Sequence, residues 1–244
     1  MANLLGILLF IGLSFAWFVP MIQKNKNVGN ISGKQFFKIM LSCGLPATLL
    51  IILTEIFWDR LFALTGIEGL LKDVISSFFR AALLEEFFKF RGFKQAIKKF
   101  SPSTKMDYML SAGAVGLTYG LIEKLVLGNS IMIIISAILP GHIVWQINQG
   151  ASYYDLCKEK TSGNKESIHH YQFMVGPAIF LMHGIWDCFI DSGAYLLNGE
   201  DALSQSLGLI LILITIAGMV VYEIKTIKLI KAEIKLIKDN DNIE

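Results

Sequence analysis

The chain has 244 residues, of which 54% are hydrophobic and only 17% charged, with a formal net charge of +2 and a mean hydropathy of +0.55. Soluble domains carry about 25% charged residues. The figures therefore exclude a nucleic-acid module, a disordered regulator and an ordinary cytosolic enzyme, and leave a polytopic membrane protein. Three cysteines, Cys43, Cys157 and Cys188, are too few and too odd in number for a disulfide framework. Cys43 and Cys188 sit in apolar runs and read as small buried hydrophobes.

A membrane span needs about 20 mainly apolar residues. In chain order the runs that meet this are 2–22, 36–58, 67–90, 106–127, 130–153, 171–197 and 202–222. The first lacks the basic start of a signal peptide, since its first positive charge is Lys24, so a retained span is expected. The third is diluted at its start by Glu68, Lys72 and Asp73. Lys24, Lys26 and Lys34 follow span 1. Lys89, Arg91, Lys94, Lys98, Lys99 and Lys105 follow span 3. Lys158, Lys160 and Lys165 follow span 5, and Lys225, Lys228, Lys231, Lys235 and Lys238 follow span 7. The other connections are short or acidic: Asp59-Arg60, Gly128-Asn129 and Glu200-Asp201. Positive charge thus alternates with the spans, which predicts about seven of them, with the N-terminus outside and the C-terminus in the cytoplasm.

The fold class expected is all-α, a polytopic transmembrane bundle. Residues 1–66 hold spans 1 and 2, 67–197 form a core of spans 3 to 6, and 198–244 hold the last span and a basic tail. In that tail Ile227, Ile230, Ile234 and Ile237 share one stripe with lysines between them, the pattern of an amphipathic helix lying on the inner leaflet, with a partner-docking helix as the alternative. Residues 94–99, with Phe93, Ile97 and Phe100, prolong span 3 along the same surface. Neither an internal repeat nor a soluble domain is evident.

Ionisable groups inside the spans are the informative residues, because each costs about 2.5–3.5 kcal/mol at a helix centre on insertion scales. Span 3 carries Glu85-Glu86-Phe-Phe-Lys89 and span 4 ends in Glu123-Lys124. Span 5 carries Pro140-Gly141-His142, then Gln146, Asn148 and Gln149, and span 6 carries His183-Gly-Ile-Trp-Asp187. Two histidines and several carboxylates on four spans suggest a metal or acid–base site. His142 and His183 each lie about 12 residues from the cytoplasmic end of their spans, roughly 18 Å deep at 1.5 Å per residue. Glu85 and Glu86 reach a similar depth if their helix continues toward Phe100.

Asp187 is one turn from His183 and can orient its imidazole, and Glu85 and Lys89 can pair at i,i+4. Lys89 can equally snorkel to the inner surface, Glu123-Lys124 can be an interfacial ion pair, and Gln146 and Gln149 read as helix-packing groups. His169 and His170 fall in a polar loop and read as solvated. The soluble metalloprotease signature H-E-x-x-H is absent.

Four segments together resemble the PrsW family of intramembrane proteases, related to the CAAX-protease and bacteriocin-processing superfamily. The family's E-E-x-x-K motif is similar to Glu85-Glu86-Phe-Phe-Lys89, and its Gly-rich helix ending in glutamate resembles 111–123. Its Pro-x-x-His-type helix followed by Gly and Tyr resembles Leu139-Pro140-Gly141-His142 running to Gly150, Tyr153 and Tyr154, and its H-G-x-x-D matches His183 to Asp187. Lys124 replaces the family's usual Asn, and the proline–histidine spacing is one residue shorter. Position 90 is Phe, where the CAAX-type branch carries Arg.

The resemblance implies an intramembrane peptidase that cuts a membrane-anchored protein or peptide. It would sit in a prokaryotic cytoplasmic membrane and have the lipid bilayer, not nucleic acid, as its setting. One of Glu85 and Glu86 would activate water, because neighbours on a helix point about 100° apart, and the other would be a ligand or support. His142 and His183 would bind zinc or another divalent metal, with Glu86 as the carboxylate ligand. In a metal-free version they would position water and the oxyanion. Lys89, Glu123 and Asp187 would be supporting residues. A proton- or metal-coupled transporter whose pathway is lined by these groups, or an inactive scaffold for single-span partners, are the alternatives.

Overall fold

A computed structural model of the chain describes residues 2–127 and 138–241. The Gly128-Asn129 turn and the first part of the fifth expected span lie outside the described residues. The described chain is helical from end to end. It begins with α1 (Ala2–Ala16) and α2 (Val19–Asn25). Pro20 stands at the start of α2, where its missing N–H costs nothing. The first expected span is therefore two helices joined by a short turn.

Ser32 opens the next helix through a capping box: Gln35 N–H donates to the Ser32 hydroxyl and Ser32 N–H donates back to the Gln35 side chain. From there α3 (Gly33–Ile39) passes through a π-helical turn (Met40–Gly44) into α4 (Leu45–Ala63). The third run is built the same way. Here α5 (Gly69–Ile75) widens into a ten-residue π-helical stretch (Ser76–Glu85) and tightens again as α6 (Glu86–Phe100). It ends at Ser101, in the left-handed conformation with φ 48°. The continuation beyond residue 90 toward Phe100 is as expected.

The remaining helices are α7 (Lys105–Leu127), α8 (Gly141–Ser162), α9 (Lys165–Val175), α10 (Pro177–Leu197) and α11 (Ala202–Asp241). Gly163, with φ 77°, stops α8 as helix-ending glycines do. Gly176-Pro177 breaks the sixth expected span between α9 and α10. Among the described residues four stretches are long and apolar enough to cross a membrane: Leu8–Asn25, Gly33–Ala63, Lys165–Leu197 and Ala202–Asp239.

The buried core is formed where α2, α3, α7 and α8 meet. Phe18, Met21, Phe36, Cys43, Met109, Val115 and Ile147 pack there. Glycines set the closest approach. A β-carbon on Gly116 of α7 would fall 2.4 Å from the His142 carbonyl oxygen, and one on Gly150 of α8 would fall 2.4 Å from the Tyr108 carbonyl oxygen. Glycine lets α7 and α8 touch backbone to backbone at both points, which presents His142 to α7.

At one end of this core Asp107 gathers the chain. Its carboxylate accepts from Asn25 Nδ2 at 2.6 Å, Ile31 N–H at 2.8 Å, Asn30 and Ser103 N–H at 2.9 Å, and Thr104 N–H at 3.1 Å. The tail continues the last apolar run as one helix. At 1.5 Å per residue the 40-residue α11 is about 60 Å long, twice the roughly 30 Å hydrocarbon layer. Three of the four stripe isoleucines meet the protein: Ile230 is buried and Ile234 and Ile237 pack against the core beside Phe18 and Met21, while Ile227 stays exposed. Lys105 bridges Asp155 of α8 at 2.8 Å and Glu233 of α11 at 3.6 Å. Burial draws this ammonium's pKa down, but the hydrogen bond and charge of Asp155 outweigh it and hold it above the ordinary lysine value.

Candidate functional site

Glu85 is the last residue of the π-helical stretch and Glu86 the first of α6. Such wide turns re-aim side chains and are frequent at functional sites. Here the consequence is direct. The sequence expectation was that only one of two neighbouring glutamates can face a given point, yet both meet His183 of α10. Glu86 Oε1 lies 2.8 Å from His183 Nδ1 and Glu85 Oε2 lies 3.8 Å from Nε2. The imidazole ring stands between the two carboxylates. Asp187, one turn further on, lies 3.1 Å from the same Nε2, so whichever nitrogen carries a proton has an acceptor waiting.

Lys89 does not reach for the surface. It is fully buried, and its ammonium sits 2.6 Å from Glu86 Oε1, 3.3 Å from Glu85 Oε2 and 3.1 Å from His142 Nδ1. The face of Tyr119 lies beneath it, 4.4 Å to the ring centroid. An ammonium only donates, so His142 Nδ1 accepts, and Nε2 donates to Glu123 Oε2 at 3.0 Å. The tautomer of His142 is thereby fixed by its two neighbours. Glu123 also pairs with Lys124 at 2.9 Å; it is an ion pair and a histidine partner at once.

His142 and His183 meet at 5.2 Å between ring centroids, and Trp145 lies tilted against His183 at 4.6 Å. All seven residues singled out from the sequence, on four separate helices, belong to this one connected cluster.

Residues with no role in that reading complete it. Gln146, taken for a packing residue, is fully buried and donates from Nε2 to Glu86 Oε2 at 2.8 Å. Gln149 does pack helices, donating to the Val175 carbonyl at 2.7 Å. His169 and His170 are exposed, as expected. Glu55, nearly buried in the apolar α4, and Arg80, in the π-helical stretch, line a cavity of about 190 Å³ together with Glu85, Glu123, His142 and Asp187. Arg80 stands 4.0 Å from Asp59. Both could have been found by the rule that exposed Glu85 and Glu86: each is a charge inside an apolar run.

The donor set fits a divalent metal in chemistry, two imidazoles and a carboxylate being a zinc-type set. The carboxylate differs from the expected one. One ligand atom each from Glu85, His142 and His183 lie within 4.8 Å of one another, whereas both oxygens of Glu86 are engaged by Lys89, His183 and Gln146. Ligands around a tetrahedral ion with bonds of about 2.0–2.2 Å stand roughly 3.4 Å apart, so the three side chains would close by about an ångström.

No protein-family model, no curated protein and no solved structure matches the chain. The fold and the site define a helical bundle that contains helices apolar and long enough to cross a membrane. Within it, Glu85, Glu123, His142 and Asp187 line a polar cavity, and Glu86, Lys89 and His183 are buried behind them.

Proposed function

We propose that this chain is an integral membrane peptidase of the PrsW type, with seven spans, the N-terminus outside and the C-terminus in the cytoplasm of a prokaryotic cell membrane. Its substrate is a membrane-anchored protein or peptide. The observation that carries this reading is the cluster itself: two adjacent buried glutamates and two histidines joined by direct contacts, of which Glu85 and His142 line a cavity large enough for water. Four helices each supply part of the cost of holding these charges away from lipid. Groups so placed serve chemistry more readily than packing.

The division of labour follows from which atoms are free. Glu85 lines the cavity, while Glu86 is held from both sides by Lys89, His183 and Gln146. Glu85 is therefore the general base that takes a proton from water as the oxygen attacks the substrate carbonyl. Glu86 is a positioning residue that fixes the His183 ring and the Lys89 ammonium. His142 lines the cavity, held between the Lys89 ammonium and the Glu123 carboxylate, and His183 packs behind it with its ring fixed by Glu86 and Asp187. Lys89 balances the glutamates from behind, and Glu123 and Asp187 orient one imidazole each. A divalent ion, where bound, would be held by Glu85, His142 and His183 and would supply Lewis acidity to the water and the carbonyl.

The experiment is cleavage of single-span substrates by the purified protein in liposomes, with Glu85→Gln, Glu86→Gln and His183→Ala alongside, and with proton and metal flux read in the same vesicles. Cleavage by the parent and its loss in the variants is the expected result. Variants that all cut as well as the parent would remove the assignment. Flux without cleavage, abolished by Glu86→Gln, would establish the transporter instead. Capture of single-span substrates without cleavage or flux would establish the scaffold.

A further inference from the structure

Arg80 lines the catalytic cavity but has no part in the proposed chemistry. Its side chain, 29% exposed, also borders two further hollows. One, of about 180 Å³, lies against α4 and shares Glu55, Tyr119 and Glu123 with the catalytic cavity. The other, of about 550 Å³, lies where α4 turns into α5 and shares Asp191 with it. Asp59 borders both and stands 4.0 Å from the guanidinium. The three spaces therefore adjoin at one side chain.

The 550 Å³ hollow is walled mostly by polar groups: Asp59, Glu68, Lys72, Asp73, Ser76 and Asp191, with Arg80. Ionised groups are costly against hydrocarbon, so a space walled in this way takes water rather than lipid. Glu68, Lys72 and Asp73 are the charges that dilute the start of the third apolar run, and here they build a vestibule. The π-helical stretch leads from it to the site. Ser76 at its start lines the vestibule, Arg80 borders every one of the three hollows, and Glu85 at its end lines the catalytic cavity. Hydrolysis consumes one water for each bond cut, and Glu85 is only 4% exposed, so that water has to be resupplied. Arg80 is not clamped in place, since its 4.0 Å to Asp59 is longer than a hydrogen bond.

We propose that this vestibule is a route by which water reaches Glu85, and that Arg80 is its gate. The guanidinium closes the route where the hollows adjoin. It opens the route by swinging between Asp59 on the vestibule side and Glu55 on the cavity side. The inference rests on the peptidase reading and adds where the second substrate of that reaction, water, enters: at the end of the bundle where α4 turns into α5.

The test places a thiol in the catalytic cavity with Gly120→Cys, where a β-carbon would meet nothing nearer than 3.7 Å among the described residues. The full chain in lipid nanodiscs, open to water on both faces, is treated with trimethylammonium-ethyl methanethiosulfonate, whose permanent charge keeps it out of lipid. Mass spectrometry reads modification at each cysteine. Partly exposed Cys157 is the reference, and buried Cys43 reacts only in an unfolded molecule. Position 120 is expected to react about tenfold faster when Arg80→Ala removes both the gate and a like charge from the reagent's path. Ser76→Trp, which fills the vestibule, is expected to slow position 120 to the level of Cys43. If Arg80→Ala unfolds the chain, Ser76→Trp decides alone. No reaction at position 120 in any form, or a reaction that neither variant moves, overturns the route and leaves the peptidase to its own cleavage assay. The expected pattern in a protein whose parent form cuts no single-span substrate upholds the water path and overturns the peptidase.

Discussion

Replacing Lys89 by Met keeps the length of the side chain and removes the charge around which the site is assembled. The Lys89 ammonium has no exposure to solvent and contacts Glu86 at 2.6 Å and Glu85 at 3.3 Å. At an effective dielectric of about 20 those contacts amount to about 6 and 5 kcal/mol of attraction, most of it offset by the cost of taking three charges out of water. What remains measurable is the penalty of leaving buried carboxylates without their counter-charge, about 3–5 kcal/mol for Lys89→Met. Equilibrium unfolding in detergent micelles reads the loss. Adding Glu86→Gln should restore part of it, with a coupling of about 1–3 kcal/mol between the two positions. A single variant within 0.5 kcal/mol of the parent, or simple additivity in the double variant, would mean that Lys89 leaves the cluster for the surface. The charge balance drawn here would then be wrong.

Three further outcomes follow from particular contacts. Asp107→Ala strands the donors of Asn25, Asn30, Ile31, Ser103 and Thr104 and should destabilise the protein by about 3 kcal/mol or more in the same unfolding assay. A loss under 1 kcal/mol would show that water replaces the carboxylate. Asp187→Asn keeps the size of the group behind His183 Nε2 and should lower cleavage about 10- to 100-fold, with stability within about 1 kcal/mol of the parent; unchanged turnover would free Asp187 of any orienting role. Equilibrium dialysis against zinc should load about one ion per chain on the parent and none on His183→Ala. Equal loading of both would take metal out of the account and leave the glutamate chemistry in place.

Much of the site was legible in the sequence because charge in an apolar run is rare and costly. Glu85, Glu86, Lys89, Glu123, His142, His183 and Asp187 all announce themselves that way, and they all join one cluster. Arg80 obeys the same rule but has no second charged group at helical spacing, and Glu55 has Asp59 one turn on, which was read as part of the connection between spans. Gln146 is a different case: a neutral amide on a helix looks the same whether it packs or holds a carboxylate. The choice between the two glutamates was out of reach for another reason. Regular α-helical geometry separates them by about 100°, yet the two side chains reach different nitrogens of the same His183 ring.

The helical class followed from composition and periodicity. The breaks before Pro20 and Pro177 divide expected single spans, since proline opens a helix more readily than it continues one. The isoleucine stripe of the tail was read as meeting lipid because amphipathicity alone does not say which apolar surface a stripe will find. Three of its four isoleucines join the core of Phe18 and Met21.

The most direct measurement of the central claim is the single-turnover rate at which Glu85→Gln cuts a single-span substrate of the parent in the same bilayer. A carboxylate that activates water and lines the cavity gives a fall of about 10²- to 10⁴-fold in a protein that still folds and still binds the substrate. A Glu85→Gln variant that cuts at the parent's rate would contradict the assignment of Glu85 as the base.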